Sequence, residues 1–212
     1  MNTSPADLLA TGLQQLPLIA ILRGLTPPEA PAIGQALTDA GFVLLEVPLN
    51  SPQPLDSIAA LAAQHPQRLI GAGTVMSAAD VRNVHAAGGR LIISPHFDAE
   101  VVHEALRLGM ACMPGVATPS EAFAALKAGA HALKLFPAEM IGPAVVKALR
   151  AVLPASVPLL PVGGVSPDNM AAYRQAGATG FGIGSALYKP RQSAAQTAAI
   201  AAQFIECWKA LP

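Results

Sequence analysis

Cysteine is nearly absent from the 212-residue chain: Cys112 and Cys207 are the two there are, and they form neither a CxxC pair nor a metal-spaced cluster with histidine. A disulfide scaffold and a cysteine-based zinc site are therefore excluded, and reduced thiols in a cytoplasmic protein are the expectation. Charge is scarce too, at 12% of residues against roughly 25% in ordinary domains, with 13 basic and 13 acidic side chains and no block of either sign. A net charge of zero makes nucleic acid and anionic membranes poor partners. The first fifteen residues (MNTSPADLLATGLQQ) lack the basic start and apolar centre of a signal peptide. No run approaches the roughly 20 apolar residues of a membrane span, so a soluble protein is expected. The sparse charge also leaves surface that partner subunits could cover.

What the chain has in abundance is short apolar runs. LIAILR (18–23), VLLEVPL (43–49), LIGAGTV (69–75), LIISP (91–95), ACMPGVA (111–117), ALKLFP (132–137), PLLPVGG (158–164) and GFGIGSALY (180–188) recur at a spacing of twenty-odd residues. Between them lie segments of helical composition such as 27–41, 77–89, 98–109 and 118–130. Helix starts are signalled by Thr26, Ser77, Asp98, Thr118 with Glu121, and Ser166. Helix stops are signalled by Gly41, Gly88, Gly109, Gly129 and Gly177. Eight βα units whose strands are apolar throughout predict a closed parallel (β/α)8 barrel, a TIM barrel spanning 1–212 as one domain. An extra helix over residues 4–15 is expected to cap its bottom. An open doubly wound sheet is the competing architecture, but no GxGxxG turn follows the first strand.

The site of such a barrel lies at the C-terminal ends of its strands. That rule selects Arg23, Glu46, Asn50, Thr74, Lys134, Val162, Gly163, Gly164, Gly184 and Ser185. Lys134 is a lone lysine in HALKLFP. It is either a strand-end lysine whose head reaches solvent or a desolvated amine able to attack a carbonyl. A lysine of the second kind condenses with a ketone to an iminium, an electron sink for breaking the neighbouring carbon–carbon bond. Glu46 is then its proton shuttle, or alternatively its partner in a structural ion pair. The glycines of 163–164 and 182–185 either make tight turns or bare their amides to a phosphate, with the Ser185 hydroxyl as a further donor. Arg23 suits a carboxylate or phosphate, and Thr74 a carboxylate. The five histidines show no metal-ligand spacing, and His96 is expected in a solvated loop. A phosphosugar isomerase and a non-catalytic phosphosugar sensor remain open from the residues alone.

The segments PLIAILRG, EVPLNSP, IGAGTV, ISPH, PGVATPSEA, ALKLFPA, PVGGV and GIGSALY resemble, in order and spacing over nearly the whole chain, the aldolases that cleave 2-keto-3-deoxy-6-phospho sugar acids, the KDPG/KHG aldolase family. The resemblance implies a homotrimeric barrel and a class I aldolase needing neither metal nor cofactor. Lys134 matches the Schiff-base lysine, Glu46 the proton-transferring acid, and Thr74 the residue at the pyruvate carboxylate. Gly164, Gly184 and Ser185 match the phosphate pocket, and Arg23 a substrate-binding arginine. EVPLNSP and PVGG are closer to the 6-phosphogalactonate branch than to the 6-phosphogluconate branch, whose segments carry Thr and Arg in place of Pro48 and Asn50 and Thr in place of Val162. Val162 and Asn50 are thus the expected specificity positions. The resemblance implies cleavage of 2-dehydro-3-deoxy-6-phospho-D-galactonate to pyruvate and D-glyceraldehyde 3-phosphate in galactonate catabolism, with the 6-phosphogluconate enzyme or one of dual specificity as the alternative.

Overall fold

Short β-rich runs become strands buried on both faces in a computed structural model that describes residues 4–211. The strands are β1 (Leu18–Ile21), β2 (Leu44–Pro48), β3 (Leu69–Gly73), β4 (Leu91–Ile93), β5 (Ala111–Met113), β6 (Gly115–Val116), β7 (Leu133–Leu135), β8 (Leu159–Pro161) and β9 (Phe181–Ile183). All pairings are parallel: β5-β4-β3-β2-β1-β9 form one sheet and β6-β7-β8 a second. The architecture is therefore α/β, with the strand ladders in two parallel sheets where eight even runs predict one ring. The fifth run is split because Pro114 has no N–H to give a ladder. Beyond it a Cβ on Gly115 would collide with the backbone of Pro95 and His96, so the two segments approach there at glycine distance. At the other edge the parallel bridge of Val162 with Gly182 and the Thr179 N–H donating to the Leu159 carbonyl join the sheets. The eighth run is strand only to Ile183, and Ser185 stands in the turn after it.

Helices alternate with the strands: α1 (Pro5–Gln15), α2 (Ala30–Ala40), α3 (Pro54–Gln64), α4 (Ala78–Ala86), α5 (Ala99–Arg107), α6 (Pro119–Lys127), α7 (Ala138–Val152), α8 (Pro167–Gln175) and α9 (Ala194–Ala210). Ser77, Asp98, Thr118 and Ser166 stand at the N-caps of α4, α5, α6 and α8, and Thr118 closes a full capping box with Glu121. Thr26 does not cap α2. Its N–H and Oγ both donate to Glu29 Oε2, holding 26–29 as a separate turn, and the helix begins at Ala30. Gly41, Gly88, Gly109, Gly129 and Gly177 all take positive φ just past helix ends. Among the described residues, no helix is long and apolar enough to cross a membrane.

Two apolar clusters show which way each strand faces. The larger one, including Leu45, Val47, Leu133 and Leu135, lies between the sheets and the helices. The smaller one gathers Ile19, Leu44, Leu69, Leu91, Ala132 and Leu160 on the opposite faces, closed from the strand starts by Leu9 and Leu13 of α1. Helix α1 is the capping helix expected over 4–15. Side chains two apart on a strand share a face, so Glu46 stands on the face of Leu44 and Lys134 on that of Ala132. The strand period alone turns these two polar groups inward, one layer above an apolar floor.

Candidate active site

Both inward groups are desolvated: Lys134 is 5% exposed and Glu46 is 1% exposed. Burial pushes the Glu46 carboxyl up from 4.5 to about 7, against the pull of the Lys134 and Arg23 charges and the Gly73 amide. Burial likewise lowers Lys134 from its usual range; the Glu46 charge opposes that shift and the Arg23 charge adds to it. The acid rises and the base falls, so burial moves the two groups toward each other and leaves Glu46 able to exchange a proton near neutral pH. Among the described residues, the ion pairs within 4.0 Å are those of Glu104 with Arg82 and Arg107. Lys134 and Glu46 therefore sense each other's charge without forming an ion pair within that distance. Glu46 Oε2 is buried with no hydrogen-bond partner, an arrangement that costs the fold stability.

Gly73 shapes this pair. A Cβ there would overlap both carboxylate oxygens of Glu46, so the bare α-carbon is what lets the carboxyl lie across β3. Gly73→Ala is expected to displace Glu46 and cut turnover by about 100-fold, the low end of what a general acid–base group supplies. Steady-state kinetics on a variant that melts as a folded protein checks this; unchanged turnover would contradict it.

Above the pair, a cavity of about 560 Å³ is lined by Arg23, Asn50, Val162, Gly163, Gly164, Gly184 and Ser185, seven of the ten positions selected from sequence. Gly163 (φ 109°) and Gly164 (φ 62°) both lie in the left-handed region that a Cβ disfavours. Arg23 Nη1 donates to Asn50 Oδ1 at 2.7 Å, which fixes both polar heads on one side of the mouth. Val162 is buried and packs on Gly182. Lys134 and Glu46 do not line this cavity; Phe136 does, and its ring lies 4.5 Å from Lys134 Nζ. Thr74 is not among the lining residues either. It follows Glu46's neighbour Gly73 with φ 58°, an unusual conformation for a threonine. His96 is exposed in the loop after β4, as expected. Cys112 is buried with its thiol pushed up to about 12, which leaves it inert.

A family model described as "Aldolase: KDPG and KHG aldolase" matches residues 9–202. The chain belongs to the KDPG/KHG aldolase family. It is 48% identical over 196 residues to the 2-dehydro-3-deoxy-6-phosphogalactonate aldolase of Escherichia coli (strain K12), a match covering 92% of this chain and 96% of that one. A relative from Pseudoalteromonas atlantica named 2-dehydro-3-deoxy-phosphogluconate aldolase is 34% identical over 175 residues, 81% of this chain and 78% of that one. Among solved structures, one described as native KDPGal superposes with a TM-score of 0.90 at 48% identity, over 92% of this chain and 95% of that one. A KDPG aldolase from Legionella pneumophila, solved with pyruvate captured as a covalent carbinolamine, superposes with a TM-score of 0.78 at 28% identity, over 99% and 98% of the two chains.

The lining residues of this aldolase that were not selected from sequence include Phe136, Glu139 and Lys189. Phe136 was within reach of the strand-end rule, one residue beyond β7, but it carries no polar group. Glu139 reads as an ordinary acidic residue in a helix first turn, and Lys189 as a loop lysine. What marks them is the cavity they share, which local sequence does not encode.

Proposed function

We propose that this family member is a class I aldolase that cleaves 2-dehydro-3-deoxy-6-phospho-D-galactonate to pyruvate and D-glyceraldehyde 3-phosphate. The observation that carries the reading is the buried, charge-coupled Lys134 and Glu46 beneath a mouth lined by Arg23 and bare glycine amides. The neutral Lys134 amine attacks C2 of the keto acid. Glu46, through a water, protonates the departing C2 hydroxyl, and loss of water gives the iminium. The C4 hydroxyl then gives its proton to the Glu46 carboxylate, the C3–C4 bond breaks, and its electron pair moves into the iminium to form an enamine. D-Glyceraldehyde 3-phosphate leaves, C3 takes up a proton, and water releases pyruvate and the free amine. In this reading Thr74 meets the pyruvate carboxylate, Gly163, Gly164, Gly184 and Ser185 hold the phosphate, and Arg23, oriented by Asn50, holds the chain between them. No metal or other cofactor takes part.

Preference for the galactonate epimer rests on Val162 and on the higher identity to the relative named for that epimer. A methyl where the gluconate branch has a hydroxyl offers no hydrogen bond to the C4 hydroxyl. Pyruvate release is expected to be faster from the galactonate epimer, and Val162→Thr is expected to shift the kcat/KM ratio toward gluconate by about tenfold, one hydrogen bond's worth. An unmoved ratio would remove Val162 from the specificity argument.

We further propose that the two sheets work as one closed (β/α)8 barrel domain, and that the enzyme is a cytoplasmic homotrimer. Phe123 on α6 and Met140 and Val145 on α7 are exposed apolar side chains on neighbouring helices, and the chain is poor in charge. Sedimentation is expected to give three times the 21.6 kDa chain mass; a monomer would overturn the trimer.

A further inference from the structure

Helix α7 is two pieces. Gly142 (φ 62°, ψ 163°) and Pro143 break it after the single turn 138–141, and that turn carries Glu139 to the cavity. The side chain lies along the diglycine of the cradle: a Cβ on Gly163 would meet Glu139 Oε2, and one on Gly164 would meet its Cγ, Cδ and Oε1. Glu139 is exposed, and among the described residues its side chain makes no hydrogen bond and no ion pair. The cations on the same cavity are Arg23, which is engaged with Asn50, and Lys189. The turn read as anion-binding thus has a carboxylate laid against it that, among the described residues, no side-chain cation pairs with.

We infer that Glu139 limits the affinity of the phosphate subsite, opposing a phosphate on the Gly163–Gly164 turn by like charge and so speeding release of the phosphorylated aldehyde. The inference rests on the reading of that turn as the phosphate pocket. It gives a physical reason for the bad electrostatics: the phosphate is common to substrate and product, so a pocket that gripped it with every available charge would hold the product after the bond had broken. Lys189 on the same cavity supplies a countercharge to the phosphate, and Glu139 sets how much of that grip survives.

Inhibition by inorganic phosphate and by D-glyceraldehyde 3-phosphate tests it in the full-length enzyme. Pyruvate, which has no phosphate, serves as reference through its half-saturating concentration in borohydride trapping, so that any general disturbance cancels in the ratio. Glu139→Gln is expected to tighten phosphate inhibition relative to pyruvate by about three- to tenfold, the size of a like-charge contact in a partly solvated site, and added salt is expected to shrink the gain. Unchanged or weakened inhibition overturns the inference. Ser185→Ala separates this from failure of the pocket itself. If Ser185→Ala weakens phosphate inhibition while Glu139→Gln does not tighten it, the pocket stands and Glu139 has no such role. If neither variant moves the ratio, the phosphate is not held here and the inference falls with that reading.

Discussion

Lys134→Ala is expected to lower pyruvate release by about 10⁴-fold or more, the largest effect of any single substitution in the chain. The covalent route depends on an amine, and every later step depends on the iminium it forms. Lys134→Arg is expected to be equally inactive although it keeps the positive charge, because a guanidinium does not give up its proton and cannot add to a ketone. That pairing separates a nucleophile from a mere electrostatic partner of Glu46. A structural ion pair would be largely restored by arginine, and recovery of turnover in Lys134→Arg would contradict the nucleophilic role. Loss of activity through unfolding is not expected. Lys134 sits at a desolvation cost, and an apolar replacement removes that cost while burial keeps Glu46 protonated at neutral pH.

Glu46→Gln is expected to lower kcat by about 10²- to 10⁴-fold while KM changes far less. The amide keeps the shape and the apolar contacts of the acid but cannot carry a proton between the carbinolamine and the C4 hydroxyl. The same substitution has a second, opposite signature in stability. Burial raises the Glu46 carboxyl from 4.5 to about 7 in the folded protein. The unfolded chain therefore releases this proton first. The contribution of Glu46 to stability is full below 4.5 and is lost as pH rises through about 7, by roughly 3 kcal/mol for a shift of that size. Glutamine does not titrate, so Glu46→Gln is expected to melt higher than the parent at pH 8 and close to it at pH 4. A variant that is slower yet more heat-stable at pH 8 is the mark of a group kept for chemistry at the expense of the fold. Equal melting at both pH values would mean that the buried carboxyl is not displaced from its ordinary range.

The two residues proposed to carry the chemistry were legible because each breaks a local rule. A lysine inside ALKLF and a glutamate inside VLLEVPL are misplaced in buried strands, and the strand period then points both inward. The caps at Ser77, Asp98 and Thr118 were legible because a cap is decided within four residues. Thr26 carried the same local signal, and its donors meet Glu29 as those of Thr118 meet Glu121, but the Glu29 N–H goes to the Thr26 carbonyl and not to its hydroxyl, so the side-chain cap is not made. The break at Pro114 was hidden inside a run that stays apolar across it. Glu139, Phe136 and Lys189 were illegible for another reason. Their roles follow from which loops share a cavity, and that is fixed by how the second sheet meets the first at Val162 and Gly182, a contact no short segment encodes. Thr74 shows the converse. It was selected by its place at a strand end, and the structure gives it an unusual backbone beside Glu46's neighbour without bringing it onto the cavity wall.

The central claim is that Lys134 forms an imine with the keto acid. Borohydride reduction in the presence of pyruvate, followed by peptide mass analysis, tests it directly. The peptide bearing Lys134 is expected to gain the mass of a reduced pyruvate imine, with loss of activity in proportion to labelling and no gain when borohydride is added without pyruvate. A Lys134 peptide left unmodified under conditions where substrate is turned over, or an adduct on a different lysine, would contradict the account and favour a barrel that moves protons alone.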